Sequence, residues 1–225
     1  MITLYIVCFA CCVISFCGVK FLSMNIFGKS LCKISGSESE KIFLTFDDGP
    51  NPDITPKVLD LLKKYKQKAT FFCIGRRAKE HPEIVRAIVE AGHTLGSHDL
   101  NHRWTSNFRL TRQMTKEIGE SVKILEEICD GEKIIYYRPP FGLSNPHLFA
   151  ALKKLDLRCV GWSKSVGDAG NRLVSAIEKI DILSHCKEGD IILLHDDCPS
   201  KNSKLFLRNL EELLIGLRNK VSMRI

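Results

Sequence analysis

No basic block with interleaved aromatics occurs anywhere in this chain of 225 residues, and aromatics make up only 8% of it. Lys and Arg number 33 against 26 Asp and Glu, but the excess of 7 is spread along the chain, so nucleic acid is not the expected partner. No CxxC spacing occurs among Cys73, Cys129, Cys159, Cys186 and Cys198, which excludes a zinc ribbon built from them. A disulfide framework would not leave that odd number, so these cysteines read as small buried hydrophobes; the others, Cys8, Cys11, Cys12, Cys17 and Cys32, lie at or near the amino end. No repeat of roughly 20–50 residues is visible. With 15 Gly and 8 Pro the chain is neither collagen-like nor low in complexity. What remains, 44% apolar and 26% charged, suffices for one sizeable domain with a real core and not for two.

Charge is missing altogether from Ile2 to Val19, where only Thr3 and Ser15 interrupt the apolar run. As a helix it would span roughly 27 Å, close to the hydrocarbon thickness of a bilayer. A cleaved signal peptide would want a Lys or Arg before the run and a small-x-small site after it, and here only the amino terminus is charged. The expectation is therefore an uncleaved membrane anchor over residues 1–20 rather than a signal segment, then a linker over 21–40 rich in Ser, then a folded domain over 41–225. Lys20, Lys29 and Lys33 all follow the run, and the positive-inside rule alone would leave the domain in the cytoplasm.

From Lys41 onward short β-branched or aromatic runs alternate with helical apolar spacing. Strands are expected at Ile42–Phe46, Ala69–Ile74, His93–Gly96, Ile134–Tyr137, Arg158–Trp162 and Asp190–Leu194, with Val221–Ile225 as a last one. Pro56 and Pro82 open helices, Gly92 closes the second, and Asn145-Pro146 caps one through Leu155. Further helices are expected over Leu110–Ile128, Asn171–Cys186 and Ser203–Leu217. This is an α/β pattern that predicts a parallel, distorted (β/α) barrel of about seven strands. In such a barrel chemistry gathers at the carboxyl ends of the strands.

The polar residues fall there. Asp47-Asp48-Gly49-Pro50 follows the first strand, and neighbouring side chains on extended backbone diverge, so one carboxylate can face a metal and the other a reacting water. His98 and His102 follow the third strand; four apart, they can share a helical turn and chelate one ion with a carboxylate. Arg138-Pro139-Pro140-Phe141-Gly142 follows the fourth, where two prolines fix the backbone. The fifth ends in Trp162 and leads toward Asp168, and His195-Asp196-Asp197 ends the sixth, with His195 at the rim and the two aspartates reading as turn formers.

In order and position these motifs resemble those of the NodB-like polysaccharide deacetylases, carbohydrate esterase family 4, over Lys41 to Asp197. Thr45 through Pro50 is similar to the first family motif, His98 through His102 to the second, Arg138 through Gly142 to the third, Trp162 through Asp168 to a degenerate fourth, and Leu193-Leu194-His195 to the fifth. The resemblance implies that Asp48, His98 and His102 hold a divalent metal, zinc in most members, with Co2+, Ni2+ or Mn2+ as substitutes. It implies Asp47 as general base held by Arg138, and His195 as general acid tuned by Asp168. Leu193 would line the acetyl-methyl pocket, the Phe141 backbone N–H would face the oxyanion, and Trp162 would touch the sugar.

Three positions depart from the family pattern. Asp99 replaces the usual Ser or Thr after the first ligand histidine, Ser165 replaces an Asp, and Ala169 replaces a Trp. The metal-binding and acid–base positions are all kept. The implied activity is metal-dependent removal of N-acetyl groups from N-acetylhexosamine residues of a polysaccharide, a cell-wall glycan such as peptidoglycan, by an anchored domain facing away from the cytoplasm. The alternatives are a lipid-linked or small oligosaccharide substrate, and a non-catalytic glycan-binding module on the same barrel. The sequence does not specify an oligomeric state.

Overall fold

The computed structural model describes residues 22–35, 41–168, 182–198 and 202–222. Eight short strands form one parallel sheet: β1 (Ser30–Leu31), β2 (Phe43–Asp47), β3 (Ala69–Cys73), β4 (Thr94–Ser97), β5 (Tyr136–Tyr137), β6 (Arg158–Val160), β7 (Lys164–Ser165) and β8 (Ile191–His195). Their order is β1-β6-β5-β4-β3-β2-β8-β7. Strand β2 shows how the sheet sorts its residues. Leu44 and Phe46 bury on one face among the apolar side chains of the covering helices, whereas Thr45 and Asp47 bury on the other face against a buried arginine. Both faces are covered, as a parallel sheet requires. β6 and β7 lie on one continuous stretch separated only by Gly161, Trp162 and Ser163, so the sheet curls into a half-barrel whose flanks the chain itself joins.

The helices are α1 (Thr55–Lys64), α2 (Gly75–Glu80), α3 (Pro82–Glu90), α4 (Thr111–Ile128), α5 (Pro146–Lys154) and α6 (Ser203–Ser222). Pro lies in the first turn of α1, α3 and α5, where its missing N–H costs nothing. The Asn145 side chain caps α5 by accepting from the Leu148 N–H at 2.8 Å. Val58 and Leu62 of α1, Val85 and Ile88 of α3 and Leu213 and Leu214 of α6 close the main core over Leu44, Phe46, Phe71 and Ile192. A second core gathers Met114 and Ile118 of α4 with Leu148 and Leu152 of α5 under Tyr137 and Cys159. Cys73, Cys159, Cys186 and Cys198 are buried, as small core residues.

Three expectations change, and two fall largely outside the described residues. Residues 22–35 are no linker: β1 pairs with β6, Leu22 is buried, and the Ile34 N–H donates to Gly189 O at 2.8 Å beside a Lys33–Asp190 ion pair at 3.1 Å. Val221 lies in α6 rather than in a last strand, because the apolar period of that helix carries through it. The sheet has eight strands instead of about seven, the added edge strands β1 and β7 being only two residues each. The expected helix Asn171–Cys186 is described only as helical backbone over 182–185, and the expected anchor over residues 2–19 lies outside the described residues. Among the described residues no helix is long and apolar enough to cross a membrane.

Candidate active site

Register brings the motifs together. Asp47 of β2 pairs with His195 of β8, and Ser97 of β4 pairs with Tyr137 of β5, so the next residues, His98 and Arg138, emerge side by side. The ligand atoms of Asp48, His98 and His102 all lie within 4.8 Å of one another. Asp48 Oδ1 is 3.4 Å from His98 Nε2 and 3.2 Å from His102 Nε2. The histidines reach this point through a bend and not through the expected helical turn, because Asp99 (φ 68°) and His102 (φ 52°) have left-handed backbone. Asp48 shares that conformation at φ 74°. Each such residue costs on the order of 1–3 kcal/mol.

The donor set fits a divalent cation. His98 Nδ1 lies 2.8 Å from Arg138 O, and donation to that carbonyl leaves the Nε2 lone pair facing Asp48. Asp48 Oδ1 is buried and accepts no hydrogen bond, an orphaned position that a cation would satisfy. Burial opposes ionisation of Asp48, but the adjoining His98 imidazole, with His102 and His195, holds it well below the usual carboxylate range. Burial likewise opposes charge on His98, yet Asp47 and Asp48 outweigh it and raise that imidazole. Burial and the neighbouring His98 lower His102. Two carboxylates around His98 thus favour positive charge where the ligand atoms converge.

Asp47 is 3% exposed and Arg138 is 0% exposed. Arg138 donates to Asp47 Oδ1 at 2.7 Å, to Thr45 Oγ1 at 2.8 Å and to Gly161 O at 2.7 Å. Its guanidinium lies 4.2 Å from the Phe72 ring centroid and 5.7 Å from that of Trp162. The arginine fixes one oxygen of Asp47, leaving Oδ2 facing His98 Nε2 at 3.7 Å. Opposite, Asp168 grips His195 twice: Oδ1 lies 2.7 Å from Nδ1, and Oδ2 accepts the His195 backbone N–H at 2.9 Å. Burial works against the imidazolium, but the hydrogen bond and charge of Asp168 prevail and push the His195 pKa up to about 9.

The remaining expected residues frame the mouth. Phe141 is exposed, with φ 59° and its ring 4.7 Å from that of His102. Leu193, two residues before His195, shares its face of β8 and is buried opposite Thr45. Trp162 is half-buried and fills the space beside Gly142, where a Cβ would come within 2.3 Å of the indole. Asp99 is buried away from the ligand atoms, accepting from Ser106 Oγ at 3.0 Å, while its backbone oxygen accepts from the Gly75 N–H at 3.0 Å. Ser165 is exposed, and Ala169 lies outside the described residues.

Two groups escaped the sequence reading. Arg77 donates to Asp48 O at 2.7 Å and pairs with Asp197 at 2.9 Å, clamping the ligand turn from outside. Asp196 is no simple turn former: it is 1% exposed, accepts from Thr55 Oγ1 at 2.5 Å, and sits where a Cβ on Gly49 would collide. Burial pushes its pKa up to about 7. The available signal was the glycine after Asp47-Asp48, required by close approach of a side chain 147 residues away in sequence.

Residues 35–160 match the model of the family described as polysaccharide deacetylase. Over 184 residues the chain is 35% identical to a chitooligosaccharide deacetylase of Azorhizobium caulinodans, covering 81% of this chain and 85% of the relative. It is 37% identical over 169 residues to a peptidoglycan-N-acetylglucosamine deacetylase of Bacillus cereus, covering 70% of this chain and 74% of that one. Among solved structures, a family 4 carbohydrate esterase from Streptomyces lividans in complex with acetate superposes with a TM-score of 0.70 at 29% identity, over 80% of this chain and 88% of that one. The strand-end motifs, the curled parallel sheet and these likenesses converge: the chain belongs to the polysaccharide deacetylase family, carbohydrate esterase family 4.

Proposed function

We propose that this protein is a metal-dependent hydrolase that removes N-acetyl groups from N-acetylhexosamine residues of a cell-wall glycan such as peptidoglycan. The carrying observation is the convergence of Asp48, His98 and His102 within 4.8 Å, flanked by the Asp47–Arg138 and His195–Asp168 pairs. Relatives whose names specify chitooligosaccharide and peptidoglycan deacetylation support the substrate class. A divalent cation, zinc by family likeness, would be held by those three side chains and would supply Lewis-acid polarisation of the acetamide carbonyl.

The chain's own residues do the rest. Asp47 Oδ2 takes the proton from the attacking water, while Arg138 holds that carboxylate in place. The Phe141 N–H donates to the developing oxyanion. Leu193 lies against the acetyl methyl group and Trp162 against the sugar. His195 Nε2 then gives its proton to the leaving amine, with Asp168 bonded to Nδ1 to hold the ring. Acetate and the free amino sugar leave without a covalent intermediate. The apolar run over residues 2–19 tethers the domain to a membrane, with the domain on the extracytoplasmic side where the glycan lies.

Mass spectrometry of peptidoglycan and of N-acetylglucosamine oligomers after incubation with the zinc-loaded protein tests the reading. A mass decrease for each released acetyl group, with acetate appearing in step, is the expected result. Binding without any acetate release from either glycan would overturn it.

A further inference from the structure

The exposed large apolar side chains are unevenly placed. Eight occur among the described residues, and Trp104, Phe108 and Leu110 form one group at 66%, 77% and 62% exposure, on the loop that leaves the ligand His102. Trp104 and Phe108 pack edge to face at 5.7 Å, which holds both rings outward instead of folding them in. Arg103 and Arg112 flank them, exposed and with no acidic partner among the described residues.

The amino-terminal segment enters the domain on this same flank. Gly28 lies against the Phe149 ring of α5, so closely that a Cβ would come within 2.2 Å of it. One turn earlier on α5, the cap residue Asn145 donates to Asn107 O of the aromatic loop at 2.7 Å, and Thr111 Oγ1 lies 3.0 Å from His147 Nδ1. Met24 and Ile26, on the entering segment, are exposed at 53% and 36%. Upstream of them lie Lys20 and the uncharged run Ile2–Val19. One helix therefore joins the catalytic mouth, an apolar patch and the stretch of chain that follows a bilayer-length apolar run.

We propose that Trp104, Phe108 and Leu110, together with Met24 and Ile26, seat on a bilayer surface carrying anionic headgroups, so that the mouth of the site faces the membrane its own amino-terminal run enters. Aromatic and aliphatic side chains at the apolar boundary, with arginines beside them, are the composition an interfacial contact requires. A sugar-stacking platform accounts for less of it. Leu110, Met24 and Ile26 have no π-face to offer a pyranose. This proposal rests on the proposed membrane tether but not on the deacetylase activity, since it needs no turnover.

The test uses the full chain reconstituted into vesicles of phosphatidylcholine and phosphatidylglycerol, some with brominated acyl chains. The chain is expected to float with the vesicles and its Trp104 emission to be quenched by the brominated chains. The Trp104→Phe variant should lose that quenchable component, Phe108→Ser/Leu110→Ser should diminish it, and omission of phosphatidylglycerol should diminish it too. The Phe108→Ser/Leu110→Ser variant should release acetyl groups from a soluble N-acetylglucosamine oligomer at the unaltered rate. A floating chain whose Trp104 is reached by aqueous acrylamide but not by brominated lipid overturns the proposal, as does a chain that fails to float. Loss of activity on the soluble oligomer by the Phe108→Ser/Leu110→Ser variant overturns it in favour of a glycan platform. Absence of turnover in every form would instead sink the deacetylase reading, while the fluorescence still decides this one.

Discussion

Two carboxylate–cation pairs face each other across the carboxyl end of the sheet, and they hold their charges differently. On the β5 side the cation partner of Asp47 is Arg138, a group that never gives up its proton and is 0% exposed. On the β8 side the cation partner of Asp168 is His195, a group that does titrate, pushed up to about 9. The first arrangement sets the proposed base beside a fixed positive charge; the second holds, for the proposed acid, a proton that can leave. Acid and base are thus separated not by residue type, since both pairs contain an aspartate, but by whether the partner can deprotonate.

The comparison is broken most severely by exchanging the roles within Asp47-Asp48. Asp48→Asn should lose both bound metal and turnover, read by elemental analysis of the protein and by acetate release. Asp47→Asn should keep the metal and lose on the order of 10²–10⁴ in kcat, the usual worth of a positioned general base. His195→Ala should resemble Asp47→Asn. Metal lost from Asp47→Asn but kept by Asp48→Asn would reverse the two assignments.

Next in size is the fixed cation. Arg138→Met leaves Asp47 buried without its counter-charge, and breaking one side of a buried pair costs about 3–5 kcal/mol. Denaturant titration of the metal-free protein should show that loss. Arg138→Lys should recover part of it, because the charge returns while the bonds to Thr45, Gly161 and Asp47 cannot all be remade by one ammonium group. Equal stability of the methionine variant and the parent would mean that the pair contributes nothing.

The titratable pair gives a pH signature. Folding raises the His195 pKa above its ordinary 6.5, so its contribution to stability is complete below pH 6.5 and lost as pH rises through about 9. In the proposed mechanism His195 is the proton donor, which sets an alkaline limb to the rate profile. Asp168→Asn removes the largest upward influence, so the alkaline limb of kcat should move toward lower pH while bound metal is unchanged. An unmoved limb would assign it to another group.

Much of this site was legible because it is local: Asp47-Asp48, His98 with His102, and His195 each follow a strand whose own residues announce it. What was hidden depends on register between distant strands. The full burial of Arg138 needs Phe72 of β3, Thr45 of β2 and Gly161 after β6 around one guanidinium, and no window of the sequence contains more than one of them. The strand Ser30–Leu31 was read as linker because two residues carry no period; it exists only because β6 offers a free edge. Asp196 and Asp197 illustrate the same limit side by side, one pointing under the ligand turn and the other out to Arg77.

Asp196 yields the smallest expected effect and the sharpest test of that hidden layer. Its Oδ2 accepts from Thr55 Oγ1, which in turn accepts from the Asn51 N–H at 2.8 Å, while its Oδ1 is buried with no hydrogen bond. Unlike Asp47 it has no arginine. Burial raises its pKa from 3.8 to about 7, so its contribution to stability is present in full below pH 3.8 and lost as pH rises through about 7. Asp196→Asn keeps an acceptor for Thr55 and never ionises. Thermal unfolding of the metal-free variant should therefore match the parent near pH 4 and exceed it above pH 7, by about 1–3 kcal/mol. Asp196→Ala loses the acceptor and should be less stable than the asparagine variant at every pH. If Asp196→Asn is instead the less stable protein above pH 7, the carboxylate is ionised and held in place, and Asp196 belongs with Asp47 as a second anion that the ligand turn needs.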